Sequence, residues 1–343
     1  MVRVEGDARR RGERIGAELA DPIHRSLSFY RQFLSRRGTD PDDLPSILGP
    51  YRDAAASAFP DLVEEMDGMA RGAGASTWEL FAVNAFEELE PVLPSVTAPL
   101  ERCTAFVVDG EEGPILAHNE QWYAGDEGNV AVIVAKPEEG IHLASPTVAT
   151  WIPAVGLNAA GGAQAIMSLV AVDDGVGIPR VPVSRHSLQA ADAKDAVSRA
   201  TTPGRAGGYA HLFAFPEGRP FVVETTATRH AVLPGQGVHT NHYLDAGLAA
   251  LAPEPSPGSV ARLERARSLL ASDEPTTPEQ AMRILGDHGG AQSICVHAKK
   301  GAPESDAIVF SMVCDVGRGR MWVAPGQPCR TPFEEIDLQG VLP

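Results

Sequence analysis

Up to about residue 95, apolar side chains recur every three or four positions. They form long amphipathic stretches such as GERIGAELADPIHRSLSFYRQFLSRR and PDLVEEMDGMARGAGASTWELFAVNAFEEL. In the second stretch, Leu62, Met66, Met69 and Ala70 fall on one helical face. Proline and glycine divide the region into several predicted helices. Residues 91–102, PVLPSVTAPLER, carry three prolines and predict an extended, exposed crossing.

The pattern changes at Cys103. From there the chain reads as short β-rich runs: TAFVVDG, GPILAHNEQWY, NVAVIVAKP, GYAHLFAFPEGRPFVVETT and AIVFSMVCDVGRGRMWVAPG. The turn signals EEGP, PEG and DVGRG join neighbouring runs closely enough for antiparallel hairpins. Helical spacing returns at 180–200, 258–271 and 277–288, with LAPEPSPGS as a surface loop before the second of these. Strands in runs, then helices, then strands again predict an α+β fold rather than βαβ alternation. The chain carries no internal repeat and no low-complexity tract.

At 343 residues the chain is long enough for one large core or two lobes. Its 43% hydrophobic and 22% charged content is ordinary for a globular protein. The formal net charge of -16 opposes phosphate backbones and anionic bilayers, so the expectation is no nucleic acid, no membrane, and a neutral or cationic small molecule as partner. The charged start, MVRVEGDARRRGERIG, lacks the apolar centre of a secretory signal, which predicts a cytoplasmic location.

The glycine-rich GLNAAGGAQA at 156–165 lacks phosphate-loop spacing and reads as a tight turn between strands. HTNHYL at 239–244 offers two histidines without a carboxylate or cysteine at ligand spacing, and no GxSxG occurs. The four cysteines, Cys103, Cys295, Cys314 and Cys329, show no CxxC pairing, so spacing indicates neither a metal site nor a disulfide framework. Cys103 differs from the others by position: it follows the proline-rich crossing and heads the first β-rich run.

With these residues in view, the chain resembles the isopenicillin-N acyltransferase-like family of autoproteolytic N-terminal nucleophile (Ntn) hydrolases. The resemblance runs in order along almost the whole chain. It begins with the proline-led helix, GxAxGAG and LxxxN pattern of PDLVEEMDGMARGAGASTWELFAVNAFEEL. RCTAF at 102–106, AHNEQW at 117–122, GLNAAG at 156–161 and GIPRVPVSR at 177–185 follow. VET at 223–225, HTNHYL, SIC at 293–295 and GQPC at 326–329 complete the series.

What the resemblance implies is a four-layer αββα sandwich with two antiparallel sheets between helical layers. It also implies a precursor that cuts itself between Arg102 and Cys103. The products would be a helical α-chain, residues 1–102, and a catalytic β-chain, residues 103–343, held together as a heterodimer. Cys103 would be the nucleophile of an amidohydrolase or N-acyltransferase, its new α-amine the base, and Asn241 the oxyanion donor. Gln121 stands where the family commonly carries an Asp that orients the nucleophile, and Val296 where it carries an arginine.

Asn119, Glu120, Trp122, Ser168, Arg185, Glu224 and His242 are expected in substrate-binding or supporting places, with Arg185 and Glu224 as a candidate ion pair. No cofactor or metal is implied; acyl-coenzyme A is a possible co-substrate, and the substrate is a small amide or acyl donor. Two alternatives stay open at this point. One is an unprocessed, degenerate member that binds a ligand; the other is an uncleaved cysteine enzyme with His242 or His297 as base.

Overall fold

The computed structural model describes residues 1–93, 102–289 and 293–339, so most of the predicted crossing at 91–102 lies outside the described residues. Among those described, the chain first gives β1 (Val2–Gly6), then β2 (Thr104–Gly110), β3 (Gly113–Tyr123), β4 (Val130–Pro137) and β5 (Leu143–Val148). Next come β6 (Gly156–Asn158), β7 (Ala163–Leu169), β8 (Gly208–Ala214), β9 (Phe221–Thr225) and β10 (His230–Pro234). The last are β11 (Val238–His239), β12 (Asp306–Asp315), β13 (Arg320–Ala324) and β14 (Glu334–Glu335).

They form two sheets, ordered β1-β4-β5-β6-β7-β8-β9-β10 and β11-β2-β3-β12-β13-β14. The faces of the two sheets meet: β2 and β3 pack on β7 and β8, and β12 packs on β5 and β6. Helix Arg180–Leu188 covers β6 to β8, and helix Ala193–Ala200 covers β8 and β9. On the opposite outer face, helix Pro257–Asp273 covers β2 and β11, while helix Pro278–Leu285 covers β3 and β12. The architecture is therefore α+β, a four-layer sandwich with its main core between the sheets and a smaller one beneath the last two helices.

The hairpins β2–β3, β8–β9 and β12–β13 lie where the β-rich runs and turn residues predict them. Two differences have physical causes. The helical reading of the first 95 residues misses β1, although Val2 and Val4 are buried and Arg3 and Glu5 exposed, the period of a strand. β1 pairs parallel with β4, Val2 opposite Ile133 through Gly6 opposite Pro137, so the larger sheet is not wholly antiparallel. The β-rich runs also omit β5, LASPTV, whose Ala144, Ser145 and Pro146 are residue types that strands disfavour.

The N-terminal helices are joined to this frame by close backbone contact. Helix Ala8–Glu18 crosses helix Pro60–Ala73 so tightly that a Cβ on Gly16 would sit 2.1 Å from the Met69 carbonyl oxygen. A Cβ on Gly72 would sit 2.1 Å from the Glu13 carbonyl oxygen. Only glycine allows such an approach. The buried Arg11–Glu65 pair, 2.6 Å apart, closes the same crossing. The LxxxN helix, Thr77–Asn84, ends on Asn84, whose amide donates to Leu80 and Thr150 carbonyls and accepts from the Ile152 N–H. That residue thus fixes the loop beside the site.

Candidate active site

The β2–β3 register sets Thr104 against Asn119, and one step further places Cys103 beside Glu120. The Cys103 thiol donates to Glu120 Oε1 at 3.2 Å, and the second carboxylate oxygen lies 3.1 Å from His118 Nε2. His118 and Glu120 share a face of β3 because strand side chains alternate. All three residues are buried. Their ligand-capable atoms lie within 4.8 Å of one another, and the two separations are those of a hydrogen-bonded chain, thiol to carboxylate to imidazole. Burial pushes the Cys103 thiol well above its ordinary pKa, and the Glu120 charge adds to that; a Gln121 backbone N–H opposes it. The resting group is therefore a thiol.

Cys103 has φ +71°, in the left-handed region that non-glycine residues seldom occupy. The Arg102 side chain just before it is buried and held firmly. It meets Glu90 at 3.0 Å and Glu87 at 3.5 Å, and its guanidinium lies 3.6 Å over the Trp122 ring. Arg262, from helix Pro257–Asp273, holds the other side of Cys103. Its Nη1 donates to the Cys103 carbonyl and, at 2.8 Å, to Thr104 Oγ1; its Nη2 donates to Asn241 Oδ1 at 3.1 Å.

Cys103 and Glu120 line an apolar cavity. Its walls include Phe86, Trp122, Trp151, Val155, Ile166 and Phe310. Glu87, from the N-terminal segment, also reaches the cavity and accepts hydrogen bonds from Ser168 and Tyr209 hydroxyls. An apolar cavity beside a thiol suits an apolar group of a small molecule.

The structure separates the predicted site residues into groups. Cys103, Glu120, Trp122 and Ser168 line the cavity. Asn241 lies beside it, its side-chain amide donating to the Ser168 carbonyl at 3.2 Å. Gln121 meets the thiol through its backbone, while its side chain donates to Asp306. Asp306 is raised to about 6, chiefly by burial and against the pull of Arg102. Asn119 points away and pins the Leu285 and Ile294 carbonyls at 2.9 and 3.2 Å.

Arg185 and Glu224 do not pair. Arg185 faces Glu65 at 3.7 Å, whereas Glu224 bonds His239 at 2.7 Å and accepts the Leu244 and Asp245 N–H groups. His242 bonds Ser259 at 2.8 Å and is driven down to about 4, chiefly by burial. His297 sits by Cys295 and Cys329. His118 meets Glu120 instead, and its place within AHNEQW gives no local sign of that contact.

Arg262 stands in none of the matching motifs. The available signal is its place in the buried stripe Ser259, Arg262, Leu263 and Ala266, where an arginine replaces an apolar residue.

Residues 108–330 match the model of the acyl-coenzyme A:6-aminopenicillanic acid acyl-transferase family. No curated protein matches significantly. Among solved structures, the chain is similar to penicillin V acylase from Agrobacterium tumefaciens, at 15% identity, TM-score 0.48, covering 69% of this chain and 87% of that one. It is also similar to a variant of conjugated bile acid hydrolase from Clostridium perfringens, at 12% identity, TM-score 0.49, covering 70% of this chain and 98% of that one.

Proposed function

Because the chain belongs to the acyl-coenzyme A:6-aminopenicillanic acid acyl-transferase family, we propose that Cys103 is the nucleophile of an autoproteolytic amidohydrolase or N-acyltransferase. Its substrate is a small amide with an apolar acyl group. The observation that carries this reading is the Cys103 thiol, hydrogen-bonded to Glu120 at the end of the apolar cavity.

In the first reaction the Cys103 sulfur attacks the Arg102 carbonyl carbon. A C–S bond forms as the C–N bond breaks, and the departing nitrogen takes the thiol's proton by way of Glu120. Water then hydrolyses the thioester, leaving a carboxylate on Arg102 and restoring the thiol. Two features favour the cut. The left-handed backbone at Cys103 costs about 1–2 kcal/mol and is relaxed once the bond is gone. The pinned Arg102 side chain keeps the carbonyl in place.

The released α-amine has a reference pKa of about 7.7–8.0, close to what a base needs at neutral pH. In turnover it takes the thiol proton, sulfur attacks the substrate carbonyl, and the amine product leaves carrying that proton. Water completes hydrolysis; an incoming amine completes acyl transfer, for which an acyl thioester such as acyl-coenzyme A can serve as donor. Asn241 and Arg262, linked at 3.1 Å, supply polar hydrogens beside the reacting carbonyl.

A second reading is favoured by the Glu120–His118 contact: an uncleaved enzyme in which Glu120 itself accepts the thiol proton. Intact-mass measurement on the purified protein separates the two. The expected result is two chains divided between Arg102 and Cys103 in the wild type and one chain in Cys103→Ala. A single wild-type chain that still turns over an amide selects the second reading. A single chain inert to amides sinks both and leaves a ligand-binding role.

A further inference from the structure

On the far side of β3 from the thiol, two cysteines and two histidines converge from separate parts of the sequence. We propose that Cys295, Cys329, His288 and His297 form a Cys₂His₂ site for one Zn²⁺. Cys295 and Cys329 sulfurs lie 3.6 Å apart. His297 Nε2 lies 3.2 Å from Cys329 Sγ and 3.7 Å from Cys295 Sγ. One ligand-capable atom from each of the four residues falls within 4.8 Å of all the others. A tetrahedral ion with Zn–S of about 2.3 Å and Zn–N of about 2.0–2.1 Å requires S···S of roughly 3.8 Å and S···N of roughly 3.6 Å. The sulfur–sulfur spacing of 3.6 Å and the two His297 spacings of 3.2 and 3.7 Å lie close to those edges, with His288 within 4.8 Å of the other three.

The alternative for two neighbouring cysteines is a disulfide, whose sulfurs bond at about 2.05 Å, far shorter than the separation here. A disulfide would also leave the convergence of both imidazoles unexplained. Two thiolates with two imidazoles select Zn²⁺ over the hard cations Mg²⁺ and Ca²⁺, and four protein ligands leave no open position for substrate. The site is therefore structural. Binding displaces one proton from each thiol to solvent, so affinity rises with pH.

The backbone presents the ligands before any ion arrives. Cys295 N–H bonds the Asp287 carbonyl at 3.1 Å, and Val296 accepts from the Ile308 N–H at 3.0 Å. Cys329 sits in a turn closed by Arg330 and Thr331 N–H groups on the Gln327 carbonyl. His288 and Cys329 are exposed, which gives the ion a way in. The ion would clip the connection between helix Pro278–Leu285 and β12 to the segment after β13. Asn119, the neighbour of Glu120, holds that same connection at Leu285 and Ile294. The metal thereby braces the outer side of the strand that carries the site.

The test is elemental analysis of protein purified without a metal-affinity step and dialysed against a weak chelator. The expected content is about one zinc per chain in wild type and in Cys103→Ala, with loss in Cys329→Ser and recovery in Cys329→His. Cys329 is exposed, so its serine variant should fold, which circular dichroism checks. Metal-stripped wild type given Co²⁺ should show a thiolate-to-cobalt charge-transfer band that Cys329→Ser lacks. Wild type that takes up neither metal, zinc retained fully in Cys329→Ser, zinc lost from Cys103→Ala, or a Cys295–Cys329 disulfide in the fresh protein would each overturn the proposal.

Discussion

The Glu120 carboxylate lies 3.2 Å from the Cys103 sulfur and acts on it in two opposed ways. Its charge holds the proton on the thiol, and its oxygen is the nearest place for that proton to go. Glu120→Gln keeps a hydrogen bond and removes the charge. The thiol should then titrate lower and react faster with a small alkylating reagent at fixed alkaline pH, while amide turnover falls by about 10²–10⁴-fold. Alkylation and turnover rising together would show that the carboxylate only restrains the thiol.

Arg262 joins the Cys103 carbonyl to Asn241. Arg262→Met keeps much of the side chain's bulk but removes all its donors, leaving buried acceptors without them. Turnover is expected to drop by about 10²–10³-fold, as for loss of an oxyanion donor. Asn241→Ala should lower kcat by a similar factor with little change in KM, and the double variant should lose less than the product of the two. Full multiplicative losses would show that the residues act separately.

Cavity size should set acyl preference. Ile166, in the cavity wall, replaced by Phe should favour shorter acyl groups, at about 10–200-fold in kcat/KM per methylene excluded. A series of acyl amides of increasing length measures this. An unchanged preference would place the acyl group elsewhere.

Acid should destabilise the fold. Burial lowers His211 to about 3 and His186 and His242 to about 4, against 6.5 for an exposed histidine. Their stabilising contribution is full above pH 6.5 and is lost as pH falls toward 4. Asp126, raised to about 6 mainly by burial, works in the other sense: its contribution is present at low pH and lost as pH rises through 6. Urea midpoints between pH 7 and 4 should therefore fall less steeply in His211→Gln and more steeply in Asp126→Asn. Parallel curves for all three proteins would refute both assignments.

The sequence made legible whatever depends on period and turn chemistry. TAFVVDG and GPILAHNEQWY become β2 and β3 with the bounds that their β-rich composition and the turn between them suggest. Cys103 stands out because it lies where the helical pattern gives way to β-rich runs. What period cannot show is which long-range partner a polar side chain will meet. His118 reads as an unremarkable inward residue until β3 is folded against Cys103. Arg185 and Glu224 are both buried, as a paired couple should be, yet each meets a different partner, Glu65 and His239. The Cys295 and Cys329 sulfurs are neighbours because the connection between helix Pro278–Leu285 and β12 meets the segment after β13, an arrangement no local spacing encodes.

Strand β1 gives the proposed cut a physical consequence. Residues 2–6 lie in register along β4, so the segment before Arg102 contributes the edge of a sheet whose remaining strands come after it. Once the Arg102–Cys103 bond is broken, global unfolding also separates two molecules. Refolding then becomes a second-order encounter, and apparent stability depends on protein concentration, as it does for an obligate dimer. The precursor reaches the native state as one chain; the processed enzyme would be preserved mainly by how slowly it comes apart.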